Sequence, residues 1–330
     1  MLITIALSAR AQSEGYHVYV SNEHSGDVTV IDGATDDVVA TFPVGKRPRG
    51  IHTAPDGKRV FVMLSGSPRM APGVDAERAP ADKTADGMGV IDPIARKLID
   101  RWHIGSDPEQ FAISKDGKLA FIANEDDASA IIVDLGSGQS RGKVKVSEEP
   151  EGVGVNPSNG EVYVTCEEKG EVFTFLPNEQ RVTGKIETGA RPRSAAFLPD
   201  GSRAYVACEG AGAVAIIDAA SHKMIGKIQL AEGSLPMGTA VSPDGKELYV
   251  STGRANSIAV IDTVRNQVIA TIPVGKRVWS IALSPDGSRL YTANGASDDV
   301  SVVDVKSRKE LKRIKVAGGP WGIAIVPVQK

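Results

Sequence analysis

Short apolar runs return at regular intervals along this chain, each followed by a turn-forming cluster. In residues 237–278 the runs are GTAVS, ELYVS, IAVID and QVIATIPV, and a tight turn at Pro243-Asp244-Gly245 separates the first two. Runs rich in β-branched residues and joined by turns of a few residues are typical of antiparallel strands. The pattern therefore predicts a four-stranded meander in which each strand is only five to eight residues long.

The meander is one copy of a repeat. Residues 279–320 reproduce residues 237–278 at a spacing of 42, and a further copy begins at Trp321. Seven versions of the second strand can be aligned: HVYVSN, RVFVML, LAFIAN, EVYVTC, RAYVAC, ELYVST and RLYTAN. Repeats of about 40–50 residues indicate solenoids or propellers. A sheet of this kind is covered on both faces when such sheets pack in a ring, so the sequence predicts an all-β, seven-bladed β-propeller.

The two ends of the chain predict how the ring closes. Tyr16–Asn22, Val28–Asp32 and Val38–Val44 supply strands two to four of the first blade, whose first strand is missing. Gly322–Val326 is an unmatched first strand at the other end. We expect the two ends to share one blade, which removes an open sheet edge. Residues 12–330 are thus predicted to form a single domain.

One repeat carries an insertion. The aspartate that ends the third strand recurs at Asp32 and Asp92, which are 60 residues apart rather than 42. The extra residues fall in Gly66–Gly87, between the second and third strands of blade two, and are rich in Pro, Ala, Asp and Gly. Loops of this length are commonly functional or disordered.

Composition and the N-terminus restrict the class of protein. The formal net charge is −3, which argues against a nucleic-acid-binding surface. Residues 1–11 end in Ala9-Arg10-Ala11 and predict the remnant of a secretory signal peptide, with a mature chain from Gln12 and a periplasmic location. No other stretch is apolar enough to span a membrane.

Cys166 and Cys208 hold one repeat slot in neighbouring blades, and we expect free thiols rather than a disulfide.

The repeats resemble a known family. YVSN at Tyr19–Asn22, VIDTVRNQVIATIPVG at Val260–Gly275 and two SPDG turns are similar to the YVTN family of β-propeller repeats. The insertion LSGSPRMAPGVD…PADKTADGMGVID resembles the periplasmic propellers associated with pyrroloquinoline quinone (PQQ)-dependent alcohol catabolism. This resemblance implies an accessory role beside a quinoprotein dehydrogenase or cytochrome, and it carries no catalytic motif.

Because the repeats are in register, equivalent positions form rings at one end of the channel. The residue that opens each innermost strand forms an inner ring, and charged residues flank it two positions earlier and in the loop after each second strand. The candidate binding residues on this face are Arg49, Glu109, Glu151, Arg193, Trp279, Trp321, Arg47, Arg191, Glu23 and His24. Met237 completes an apolar arc with the two tryptophans. Arginine suggests an anionic group in the ligand, and tryptophan a planar or apolar one.

Two functions remain open from the sequence. The arginine and glutamate ring either locks blade to blade, with exposed pairs that contribute about 0–1 kcal/mol each, or forms a binding funnel. The main hypothesis is a non-enzymatic periplasmic protein that binds a partner or small ligand at the channel mouth and supports quinoprotein alcohol oxidation. The alternative is an enzyme, either a lactonase-like hydrolase or a dehydrogenase subunit. The sequence predicts no catalytic residue, metal site, haem-attachment motif or cofactor, since the five histidines lack ligand spacing.

Overall fold

Seven four-stranded antiparallel sheets make up the protein in a computed structural model that describes residues 15–68 and 80–328. The innermost strands of successive sheets contact one another in turn, and the contact of the last with the first closes the ring. This is the predicted all-β, seven-bladed propeller, and the described residues contain only two short 3₁₀ turns, Lys83–Ala85 and Glu125–Asp127. The expected signal remnant, residues 1–11, lies outside the described part of the chain.

Every blade has the same order of strands from the channel outwards. The strands of the first four blades are β28 (Pro320–Pro327), β1 (Tyr16–Asn22), β2 (Asp27–Asp32) and β3 (Val38–Pro43); β4 (Ile51–Thr53), β5 (Val60–Leu64), β6 (Gly87–Asp92) and β7 (Lys97–Trp102); β8 (Pro108–Ile113), β9 (Leu119–Asn124), β10 (Ser129–Asp134) and β11 (Ser140–Lys145); β12 (Pro150–Val155), β13 (Val162–Cys166), β14 (Glu171–Phe175) and β15 (Val182–Glu187).

The last three blades follow the same order. Their strands are β16 (Pro192–Phe197), β17 (Arg203–Cys208), β18 (Ala213–Asp218) and β19 (Lys223–Gln229); β20 (Thr239–Val241), β21 (Glu247–Ser251), β22 (Ser257–Asp262) and β23 (Gln267–Pro273); β24 (Val278–Leu283), β25 (Arg289–Asn294), β26 (Asp299–Asp304) and β27 (Lys309–Lys315).

The ring closes through its termini, as predicted. Strand β28 pairs antiparallel with β1, with Tyr19 opposite Ala324, and forms the innermost strand of blade one. It also packs against β4 on one side and β24 on the other. This pairing covers the inner edge of β1 and gives blade one four strands like the others.

The core lies between neighbouring blades. One cluster joins Tyr19, Val28 and Val30 of blade one to Ile51 and Val62 of blade two. The second and third strands are buried along nearly their whole length, whereas outer strands such as β3 alternate between exposed and buried positions. This distribution is what sheet-on-sheet packing around a ring requires, because neighbouring blades cover the two middle strands, whereas the outermost strand meets solvent.

The repeated aspartates act as turn residues. The Asp32 carboxylate accepts hydrogen bonds from the backbone N–H groups of Ala34 and Thr35 at 2.8 and 3.0 Å. Asp262 makes the same pair of bonds, at 2.9 and 2.8 Å, to Val264 and Arg265. Each carboxylate thereby closes an Asx turn after the third strand of its blade.

Both cysteines, at the ends of β13 and β17, are buried free thiols, as expected. Burial raises the pKa of each thiol above its ordinary value, which keeps both protonated and unreactive.

The insertion leaves blade two between β5 and β6, as predicted. Its two ends are held together, because the Gly66 N–H donates to the Asp86 carboxylate at 2.6 Å and the Asp82 N–H donates to the Gly66 carbonyl at 2.9 Å. The Lys83–Ala85 turn follows at once. The base of the insertion is thereby fixed on one face of the ring, and residues 69–79 lie outside the described part of the chain.

Candidate functional site

One end of the channel opens into a cavity of about 860 Å³. All ten candidate binding residues line it, together with Ser67, Pro68, Pro80, Ala81 and Lys83 from the base of the insertion. The predicted convergence of the rings and the insertion at one face is therefore present. Met237 is an exception, since it is 6% exposed and does not line the cavity. We call this cavity the channel mouth.

The channel mouth is built on an unusual backbone slot. The residue two positions before each inner-ring residue has a positive φ in all seven blades: Arg47 (41°), Asp107 (50°), Glu149 (51°), Arg191 (54°), Leu235 (43°), Arg277 (54°) and Gly319 (68°). Left-handed backbone costs an L-residue roughly 1–2 kcal/mol, and glycine is the usual choice. Five of these seven positions nonetheless carry a charged side chain that lines the cavity. Strain of this kind is a marker of functional sites.

Glycine is required in blade one for a second reason. A Cβ atom on Gly319 would lie 2.4 Å from the ring of His24. The His24 ring also lies 4.0 Å from the Glu23 carboxylate. Position 319 is therefore glycine, because the His24 ring occupies the space that a side chain would need.

Arg49 joins blades two and three in a buried ion pair. It is 4% exposed, and it donates to the Asp107 carboxylate at 2.5 Å and to the Glu109 carboxylate. Asp107 and Glu109 are 8% and 5% exposed. The expectation that the ring consists of exposed pairs is wrong here, because neighbouring blades enclose these charges. Breaking such a buried pair costs more than breaking a surface pair.

Three further arginines also bridge blades. Arg193 donates to Glu151 at 2.9 Å, to Glu209 at 2.8 Å and to Glu167. Arg47 donates to Glu23 through Nε and Nη2 at 3.0 and 2.8 Å, and to the Ser67 carbonyl at the base of the insertion at 2.8 Å. Arg191 pairs with Glu167 at 2.7 Å. Blade locking and cavity lining are thus performed by the same side chains.

Glu125 differs from the other carboxylates of the channel mouth. It begins the Glu125–Asp127 turn after β9 and lines the cavity. Oxygen atoms of Glu125, Asp107 and Glu109 lie within 4.8 Å of one another. Among the described residues, the Glu125 carboxylate has no hydrogen bond or ion pair. Glu125 holds the same repeat position as Glu23, but it is not among the binding residues predicted from the sequence.

Burial raises the pKa of Glu125 to about 7, and the charge of Asp107 and then Glu151 adds to the shift. The pKa of the Asp107 carboxyl group shifts in the opposite direction. Burial opposes its ionisation, but Arg49 and the hydrogen bonds from Ser65 and Ser67 together outweigh that effect and lower the pKa of Asp107 below its ordinary value. The site therefore holds an ionised carboxylate beside one that can take up a proton near neutral pH, which is a frequent arrangement in acid–base catalysis.

The three clustered carboxylates could be considered as metal ligands. Two of them, Asp107 and Glu109, are already bonded to the Arg49 guanidinium, which occupies the position a cation would need. The donor set does not fit a metal, and we assign no cofactor to it.

An aromatic wall made of Arg277, Trp279 and Trp321 forms another part of the cavity. The two indole rings stack with centroids 6.1 Å apart and an interplanar angle of 22°. The Arg277 guanidinium lies 4.3 Å from the Trp279 ring centroid, which is cation–π contact. Stacking restrains the guanidinium at the cavity wall. Arg277 lies two positions before the inner-ring residue Trp279, but it is not among the binding residues predicted from the sequence.

The comparison with protein families bears directly on this site. The model of the family described as "Lactonase, 7-bladed beta-propeller" matches residues 136–317. The chain belongs to this lactonase family. Among curated proteins, none matches the sequence.

Solved structures share the lactonase-family fold at low sequence identity. A periplasmic gluconolactonase from Pseudomonas aeruginosa is 22% identical with a TM-score of 0.75, covering 96% of this chain and 100% of its own. A proposed 6-phosphogluconolactonase from Bacteroides fragilis is 17% identical with a TM-score of 0.77, covering 96% of this chain and 99% of its own. Hydrazine synthase from Kuenenia stuttgartiensis is 21% identical with a TM-score of 0.74, covering 92% of this chain and 99% of its own. At these identities the likeness shows the fold alone.

Proposed function

We propose that this protein is a hydrolase that opens a small lactone at the channel mouth, with Glu125 as the general base. The observation that carries the proposal is the position of Glu125, a half-buried carboxylate that lines the cavity and has no ion-pair partner among the described residues. Membership of the lactonase family and the likeness to two proteins named as sugar lactonases support the choice of reaction.

The chemistry needs a group that accepts and returns one proton. Ionised Glu125 removes a proton from water as the water oxygen bonds to the lactone carbonyl carbon. The tetrahedral intermediate then expels the ring oxygen, so that the acyl C–O bond breaks. Protonated Glu125 returns its proton to the departing alkoxide, and the product is a hydroxy acid. A general base with a pKa near the working pH is the most effective for this purpose.

The cationic side chains of the channel mouth would stabilise the oxyanion. Arg277 is the best placed for this role, because stacking on Trp279 restrains its guanidinium at the wall of the same cavity. A preorganised donor of this kind commonly contributes several kcal/mol to such a step. The other ring arginines hold the carboxylates of the site in place.

The predicted accessory role in PQQ-dependent alcohol oxidation has no support from the comparisons, which favour the hydrolase alternative. A periplasmic location, and a quinoprotein dehydrogenase or cytochrome as partner, stay predictions from the sequence. Hydrolysis at the channel mouth does not depend on either of them.

The proposal is tested by following acid release from glucono-δ-lactone and from unsubstituted δ-lactones in a pH-stat, above the spontaneous rate. We expect turnover by the wild type and a loss of at least about 100-fold in Glu125→Gln, as is usual when a general base is removed. Glu168→Gln is the matched control, since Glu168 is exposed and does not line the cavity. The proposal fails if no lactone is turned over, or if the Glu125 variant keeps its activity.

A further inference from the structure

The charge of the channel mouth narrows the class of substrate. We propose that the site accepts lactones without an anionic substituent and discriminates against phosphorylated or carboxylated ones. This inference rests on the proposed function and adds the substrate class.

The first support is the balance of charge around the cavity. Its described lining contains nine carboxylates and six arginine or lysine side chains, which leaves a formal charge of −3. Residues 69–79, outside the described part, contain two arginines, one aspartate and one glutamate, so they do not change this balance. Protonation of Glu125 still leaves an excess of negative charge. A cavity wall with an excess of negative charge repels an anionic ligand over distances up to the screening length.

The second support is what the arginines are bonded to. The arginines predict an anionic ligand from the sequence, but in the folded ring three of them are already bonded to carboxylates. Arg49 is bonded to Asp107 and Glu109, Arg193 to Glu151 and two further glutamates, and Arg47 to Glu23. Lys83, at the base of the insertion, is paired with Asp126. A phosphate at these groups would have to displace a carboxylate that is already in place.

The third support is the local potential that Glu125 experiences. The carboxylates of Asp107 and Glu109 lie beside it, and the charges of Asp107, Glu151, Glu149 and Arg49 act on it. Burial and three of these acidic neighbours raise the pKa of Glu125, while Arg49 offsets only part of the shift. The Glu125 carboxylate therefore meets net negative surroundings, and an anionic substituent beside the reacting carbonyl would meet the same field.

The test compares kcat/KM for glucono-δ-lactone and for its 6-phosphate ester at low and high salt, after subtraction of the spontaneous rates. We expect kcat/KM for the phosphorylated lactone to be at least about tenfold lower than for glucono-δ-lactone at low ionic strength. The ratio of the two kcat/KM values should move towards one as salt screens the charge of the cavity wall. Glu149→Gln should narrow the ratio as well, because Glu149 lines the cavity and has no ion pair among the described residues. Glu168→Gln should leave the ratio unchanged.

The two possible failures are distinguishable. Preference for the phosphorylated lactone, or a ratio that does not respond to salt or to Glu149→Gln, would overturn the inference while leaving the hydrolase proposal intact. Hydrolysis of neither lactone would contradict the proposed function and this selectivity with it.

Discussion

At the scale of single residues, the environment of Glu125 links function to stability. A carboxyl whose pKa is about 7 in the folded protein and 4.5 in the unfolded chain favours folding in its protonated form. That contribution is fully present below about pH 4.5 and is lost as the pH rises towards 7. The same burial that suits Glu125 to proton transfer thus destabilises the protein once the carboxylate ionises.

Replacement of Glu125 by Gln should therefore stabilise the protein at high pH. We expect Glu125→Gln to exceed the wild type by roughly 1–3 kcal/mol in free energy of unfolding at pH 8, and to differ little at pH 4.5. Urea denaturation at the two pH values measures the difference. A loss of stability of equal size at both would show that Glu125 holds the fold together rather than opposing it.

Asp107 should control the proton affinity of Glu125. Asp107→Asn removes the largest charge effect that raises the pKa of Glu125, so the pH dependence of hydrolysis should shift to lower pH. Glu168→Gln is the control, because Glu168 is exposed and does not line the cavity. An unshifted profile in an active, folded Asp107→Asn variant would contradict this coupling.

At the scale of structural elements, the positive-φ position two residues before each inner-ring residue holds two kinds of side chain. Some stabilise the fold through buried pairs, and others only line the channel mouth. Asp107 occupies this slot and is bonded to buried Arg49, whereas Glu149 occupies it without an ion pair among the described residues. Replacement by glycine relieves the backbone strain at either position. At position 107 it also removes the ion pair with Arg49. The two positions therefore form a matched pair for an experiment.

We expect Glu149→Gly to change the free energy of unfolding by less than about 1 kcal/mol, because relief of backbone strain offsets the added entropy of the unfolded chain. Asp107→Gly should cost about 3 kcal/mol or more, since it leaves buried Arg49 short of a partner. Chemical denaturation of both variants under one condition makes the comparison. Equal losses would mean that the slot serves only the fold.

At the scale of the whole molecule, stability depends on closing the ring. Deletion of residues 319–330 removes β28, which pairs with β1 and packs against β4 and β24. We expect a large loss of cooperative stability and a tendency to associate through the exposed edge of β1. Thermal unfolding and light scattering measure the two effects. A truncated chain that melts like the full-length protein would refute this view of closure.

The sequence predicted those features that the repeat encodes and missed those that depend on three-dimensional pairing. The blade count, the shared blade and the position of the insertion follow from the spacing of recurrent residues such as Asp32 and Asp92. The burial of Arg49, and the lack of an ion pair to Glu125 within residues 15–68 and 80–328, depend on how loops of neighbouring blades meet, and one repeat does not contain that information. The same holds for Arg277, whose stacking on Trp279 appears only in the folded ring.

The most direct test of the central claim is the pH dependence of kcat/KM for an uncharged lactone, measured beside a ¹³C NMR titration of the Glu125 carboxyl group. We predict that activity rises with pH through a single ionisation at about pH 7, the value to which burial and Asp107 raise the pKa of Glu125. The two curves should share one midpoint, and the rise should vanish in Glu125→Gln. A rate that is flat across this range, or a Glu125 carboxyl that titrates near 4.5 while the rate changes elsewhere, would contradict the account.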